Sequence, residues 1–237
     1  VHHIAAEVFV RSLFKIVTPC VLGLSATMQR KDGLSKVFKM FLGDIIYKEK
    51  REGTDNVIVR AYDYTCEDDE FNEMEYDFRG NPKYSTMISK LCKFVPRSEF
   101  IIDIVRDLYN SNDGQQIMIL AHNKNLLTYL FNAIEERKIA TVGYYLGGMK
   151  EKDLKLSETK NIIIATYAMA SEALDIKTLT TLVMATPKTD VTQSIGRILR
   201  KKPSERIVPP LIIDLVDMFS TYSNKGLVRR KYYLLRK

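Results

Sequence analysis

The sequence predicts an α/β fold, a parallel sheet with helices on both faces. Three observations predict it. From residue 116 onward, short apolar runs alternate with longer segments of helical periodicity. The runs 116–121 (QIMILA) and 161–166 (NIIIAT) are nearly continuous in apolar residues, as strands covered on both faces must be. The 237 residues are 46% hydrophobic and 27% charged, enough for a real core in one large domain or two small ones.

Each element follows from local pattern. Residues 4–16 (IAAEVFVRSLFKI) carry apolar side chains at helical spacing. Thr18-Pro19 breaks that pattern, and 20–27 (CVLGLSAT) reads as a short buried strand. Residues 33–42 read as an amphipathic helix closed by Gly43, and 44–47 as the start of a strand or extended segment. Residues 56–64 (NVIVRAYDY) alternate like a strand. The acidic stretch 65–82, with Gly80-Asn81-Pro82, reads as a loop or insertion. Helices follow over 84–94 and 97–110, separated at Pro96. Then come strand 116–121, helix 124–137, strand 141–146, a short helix near 150–156, strand 161–166 and helix 168–173. Strand 180–185, helix 190–201, strand 208–214 and a basic tail complete the chain. Ligands of such sheets sit beyond the carboxyl ends of the strands. The loops after residues 121, 146, 166 and 185 are therefore the places to look for a site.

Charge is uneven. The chain carries a net +7, yet residues 52–80 hold ten acids against two bases, and 197–237 hold eleven bases against three acids. A polyanionic partner and a surface of evenly solvated basic residues both fit that balance. Cys20, Cys66 and Cys92 are scattered, with no CxxC and no Cys/His cluster, so buried or neutral thiols in a reducing compartment are expected and no metal site is. No apolar run reaches the roughly 18 residues of a membrane span, and Val1-His2-His3 does not resemble a signal peptide. With no initiator Met, the chain reads as a fragment or a trimmed protein.

The most informative stretch is 190–201. Gln193, Gly196, Arg197 and Arg200 are spaced i, i+3, i+4, i+7 and share one helix face, while Ile195, Ile198 and Leu199 fall on the other. Guanidinium is planar, permanently charged and bidentate, so two on one face suit a polyphosphate and a transferring γ-phosphoryl group. An ordinary amphipathic helix with two exposed arginines has the same spacing.

These four residues resemble motif VI of the superfamily 2 helicases. Ala165-Thr166 through Ser171-Glu172-Ala173-Leu174-Asp175 resembles motif V, with Ala173 in place of the usual Gly. Ser25-Ala26-Thr27 resembles motif III, and the wider 22–34 stretch (LGLSATMQRKDGL) is similar to the xeroderma pigmentosum B-type DNA helicases, including the poxvirus transcript-release helicases and their giant-virus relatives. Val1-His2-His3 resembles the tail of motif II. No Gly-x-Gly-Lys-Thr phosphate loop occurs in the chain.

The resemblance implies RecA-like domains: a remnant of the first over 1–51, an acidic connector over 52–95 and a complete second domain, the helicase C-terminal domain, over 96–237. It implies an ATP site in the cleft between domains, with ATP and Mg²⁺ used by the intact parent and neither held tightly by this chain. Arg200 would be an arginine finger on the γ-phosphate. Arg197 would hold phosphate or couple motif VI to motif II. Gln193 would face His2 or the nucleotide, and Asp175 the ribose or a motif VI arginine. Gly196 would allow close approach to the nucleotide. Thr166, with Ser171, would bind a phosphate of the nucleic-acid strand, while Ser25 and Thr27 link the nucleotide to the nucleic-acid groove.

DNA is the expected partner, with RNA or an RNA–DNA hybrid as alternatives. The acidic connector is an expected dock for transcription or repair machinery. The expected setting is intracellular, in the nucleus or a viral factory or virion. The chain alone is expected to be inactive as an ATPase. The rival reading is a non-enzymatic nucleic-acid-binding or scaffolding module. For the residues outside the motifs, Asn123 is expected to cap the helix after it. Tyr144 and Tyr145 are expected to pack, and the basic-aromatic tail 225–237 either grips a nucleic-acid backbone or forms a docked helix.

Overall fold

A computed structural model describes residues 7–24, 35–48, 57–111, 114–172, 176–189, 191, 195, 205–219 and 221–234. The chain divides into two compact units, Val1–Gly53 and Thr54–Lys237. The first contains helices α1 (Glu7–Leu13) and α2 (Ser35–Leu42), and the Phe14 and Phe41 rings meet edge to face at 5.1 Å. The expected strand over 20–27 is not formed at its described residues 20–24, and of the two readings for 44–47 the strand is not formed. A strand requires a hydrogen-bonded neighbour, and the described residues of this unit contain none. Leu22 and Ile46 instead stand 80% and 96% exposed.

The described strands of the second unit form one six-stranded, wholly parallel sheet in the order β1-β6-β5-β2-β4-β3. They are β1 (Ile58–Tyr64), β2 (Ile117–Ala121), β3 (Val142–Tyr145), β4 (Ile162–Thr166), β5 (Thr181–Met184) and β6 (Leu211–Asp217). The helices are α3 (Asp69–Asn72), α4 (Tyr84–Lys93), α5 (Val95–Ser111), α6 (Lys124–Glu136), α7 (Glu151–Glu158), α8 (Tyr167–Glu172) and α9 (Thr221–Leu234). No helix among the described residues is long and apolar enough to cross a membrane.

Two apolar layers flank the sheet. Odd-numbered residues Ile117, Ile119, Val183 and Ile213 pack with Leu91, Val105 and Leu127 of α4, α5 and α6. Even-numbered residues Met118, Leu120, Leu182 and Ile212 pack with Ala170 of α8 and with Val191 and Ile195. This alternation, set by the period-2 pleat, explains why the central strands are apolar throughout. Ile195 donates its N–H to the Val191 carbonyl at 2.9 Å, an i→i−4 bond on the buried side of the expected 190–201 helix.

Two segments differ from the sequence reading. The first is the acidic stretch, which holds a short helix, α3. The Asp68 carboxylate caps it by accepting from the Phe71 N–H at 2.7 Å, and Phe71 is buried. The second is the expected connector over 52–95. Its described part lies in the second unit, where β1 pairs with β6 from Ile58 beside Leu211 to Tyr64 beside Asp217. The tail is a helix, α9, with Tyr222 in one apolar layer and Tyr232 and Tyr233 against the other.

Candidate nucleic-acid interface

All six strands run the same way, so their carboxyl ends share one edge. Register fixes which residues meet there. Ala121 ends β2 beside Thr166, the last residue of β4, and Leu120 lies beside Met184 of β5. The residues just past these ends, His122, Tyr167 and Thr186, make the floor of the edge.

Thr166 is half-buried, and its hydroxyl accepts from the Met169 N–H at 3.4 Å. That long bond sits where a capping residue would, at the entry to α8. Ser171 lies in the last turn of the same helix. Thr186 accepts the His122 backbone N–H at 3.1 Å, and its hydroxyl meets Nδ1 of the His122 ring at 2.9 Å. The Tyr167 hydroxyl donates to the Thr186 carbonyl at 2.7 Å, and its ring lies 4.7 Å from that of His122. Burial first, then the charges of Lys188 and Lys225, hold the His122 imidazole below its ordinary range. Asn123 caps α6, accepting from the Asn125 N–H at 2.8 Å. Tyr145 is buried and Tyr144 stacks on Phe131, so the tyrosines pack as expected.

Beneath this edge lie two ion pairs that the sequence pattern does not reveal. Asp214 and Asp217 of β6 are three residues apart and so face opposite sides of the sheet. Asp217 meets Arg97 of α5, whose Nε donates to it at 2.5 Å and whose Nη2 donates to it and to the Ala185 carbonyl, both at 2.9 Å. Asp214 meets Arg229 of α9 through Nε at 2.9 Å and Nη2 at 2.8 Å, and accepts from the Tyr233 hydroxyl at 3.0 Å. Arg97 is 0% exposed and Arg229 1%. A signal for both pairs was present: an Asp within the apolar run 211–217 (LIIDLVD) implies a buried carboxylate that must find a cation.

Of the sequence-predicted site residues, Thr166 and Ser171 fall on described elements, Thr166 at the junction of β4 with α8 and Ser171 at the other end of that helix. His2, Ser25, Thr27, Asp175, Gln193, Gly196, Arg197 and Arg200 lie outside the described residues.

No protein-family model matches the chain. It is 35% identical over 242 residues to "Putative ATP-dependent RNA helicase L396" of Acanthamoeba polyphaga mimivirus, spanning 100% of this chain but 46% of that protein. The chain thus spans about half the length of the curated relatives it matches, which include other viral proteins named as helicases. Among solved structures, T4 UvsW aligns with a TM-score of 0.60 at 20% identity, over 86% of this chain and 43% of that one. Dbp5 of S. cerevisiae, bound to RNA and ADP BeF3, aligns with a TM-score of 0.57 at 16% identity, over 88% and 48%. The fold is that of a RecA-like helicase domain. By sequence, the chain is homologous to viral proteins named as helicases.

Proposed function

We propose that the chain is the carboxyl part of an ATP-dependent helicase or translocase. Its second unit would grip a nucleic-acid strand at the carboxyl edge of the sheet and supply arginines to a nucleotide held between two RecA-like domains. The observation that carries this reading is Thr166. It ends β4 with a weakly engaged hydroxyl, beside His122 and at the mouth of α8, in a chain homologous to proteins named as helicases. A half-exposed hydroxyl at the carboxyl end of a strand suits a strand phosphate. DNA is the favoured strand from the resemblance to the xeroderma pigmentosum B-type subgroup, and RNA is the competing one from the relatives' names.

Arg197 and Arg200, with Gln193, Gly196 and Asp175, are the proposed contacts to ATP, with Mg²⁺ in the intact parent. His2 would reach the same nucleotide, and Ser25 and Thr27 would link it to the strand. Chemistry at a γ-phosphoryl group is mostly positioning and charge stabilisation, so a guanidinium that meets the transferring group supplies much of the rate. A phosphate loop is absent from the sequence, so this chain alone should not turn over ATP. Closure of two domains around ATP and release after hydrolysis would shift the protein along its strand.

The test uses the longer parent protein. Arg200→Ala should lower phosphate release from ATP by about a thousandfold, in the range of arginine-finger losses. Binding of a labelled single strand should be retained. Unchanged turnover would reject the assignment.

A further inference from the structure

Next to the Thr166 junction, the loop after β5 and the start of α9 bring cations together on a rigid base. Lys188 is held through its backbone, whose carbonyl accepts from Nη1 of the buried Arg229 at 2.8 Å. Its ammonium lies 5.4 Å from the centre of the Tyr167 ring, the same ring that touches His122. Lys225 reaches in from α9 with its ammonium 3.4 Å from the centre of the Tyr84 ring. Tyr84 is itself locked. Its hydroxyl donates to the Pro187 carbonyl at 3.0 Å, and its own carbonyl accepts from the Tyr222 hydroxyl at 3.2 Å. One residue, Pro187, therefore ties the Lys225 platform to Lys188.

The charges gathered here are not balanced among the described residues. Asp214 and Asp217, the carboxylates beneath the edge, are taken up by Arg229 and Arg97. No described carboxylate pairs with Lys188 or Lys225. Burial, then Arg229, then Lys188 hold the Lys225 ammonium below the ordinary lysine range, as expected when like charges crowd a partly buried site. In the tautomer in which Thr186 donates to Nδ1 of His122, Nε2 carries the ring hydrogen and offers a further donor. Cations set over aromatic rings without counter-ions are relieved when an anion enters between them.

We propose that Lys188, Lys225 and His122 form a seat for one backbone phosphate of a single nucleic-acid strand, adjoining the Thr166 junction. Tyr84 and Tyr167 are backing rather than stacking surfaces: Tyr167 is 2% exposed, and Lys225 lies over the Tyr84 ring. The seat therefore reads phosphate and not base, and it is indifferent to sequence. It rests on the nucleic-acid reading above.

Fluorescence anisotropy of the 237-residue chain with labelled oligo-dT and oligo-U, each over a salt series, tests the seat. Lys188→Gln with Lys225→Gln should weaken binding about tenfold and reduce the magnitude of the log–log salt slope by about 0.7, the value for one single-strand phosphate. Lys225→Arg, which keeps both the charge and the ring contact, should bind like the parent chain. Lys138→Gln with Lys160→Gln removes the same charge from the amino-terminal side of the sheet and should leave affinity and slope within twofold. Equal losses from the two double variants would overturn the seat, because total charge alone would then explain them. An unchanged slope in Lys188→Gln with Lys225→Gln, alongside weakening by Thr166→Val, would also overturn it while leaving the nucleic-acid reading intact. Failure of the parent chain to bind either oligonucleotide would reject that reading itself. In the longer parent protein, loss of ATP binding with unchanged oligonucleotide binding on Lys188→Gln with Lys225→Gln would assign the seat to a nucleotide phosphate and overturn the strand assignment.

Discussion

Arg97 shows how much one side chain can hold. It is wholly buried on α5, bonds both oxygens of Asp217 and the Ala185 carbonyl, and so clamps a helix to the ends of β5 and β6. A buried pair of this kind need not stabilise the fold relative to apolar replacements, but breaking it strands a charge. Arg97→Met should therefore cost about 3–5 kcal/mol in urea unfolding. Arg97→Met combined with Asp217→Leu should recover most of that loss. A single variant as stable as the parent chain would show that the pair carries no burden. Such residues were half legible. The two aspartates in an apolar strand announced buried carboxylates, but nothing in a one-dimensional pattern says which of 36 basic residues answers them. Lys188 and Lys225 were hidden for the same reason: they are 37 positions apart in the sequence, and only the fold brings them together around Pro187.

Among elements, α9 was the least predictable and is among the most tightly fitted. Its basic, weakly patterned sequence left a docked helix and a nucleic-acid-gripping tail equally open. The deciding residue is Gly226, small enough for the helix to approach β6. A Cβ there would lie 2.5 Å from Cγ1 of Val216. Alanine normally favours a helix by about 1 kcal/mol over glycine. Here Gly226→Ala should instead destabilise by about 1–3 kcal/mol, the cost of overpacking against a stiff β-branched side chain. In a Val216→Ala background that penalty should vanish, a non-additivity that thermal or urea denaturation of the four variants would measure. Additive effects would mean that the helix shifts freely. The central strands, by contrast, were read to within a few residues because burial on both faces writes itself as an uninterrupted apolar run. The 20–27 stretch carried the same signal without the same outcome at residues 20–24. An apolar run states a need for a lateral neighbour, and the described part of the first unit offers none.

For the molecule as a whole, the parallel sheet gathers every described strand's carboxyl end on one side, and that single fact brings residues as distant as His122, Thr166 and Lys188 to one edge. The same topology sets an order of assembly. Among the described strands, the edge strand β1 is made first, yet it is hydrogen-bonded to β6 alone, the last. A chain ending at residue 206 lacks that neighbour, and the amides of Ile58–Tyr64 should then exchange with solvent as freely as an unfolded peptide. Protection in that truncated chain would mean that β1 is held by something other than β6. During translation the ribosome must deliver about 150 residues between the two partners, so the earliest strand of the sheet waits, with open amides, for the final one to emerge. Any chaperone that attends this sheet while it is being made would find an open strand edge there.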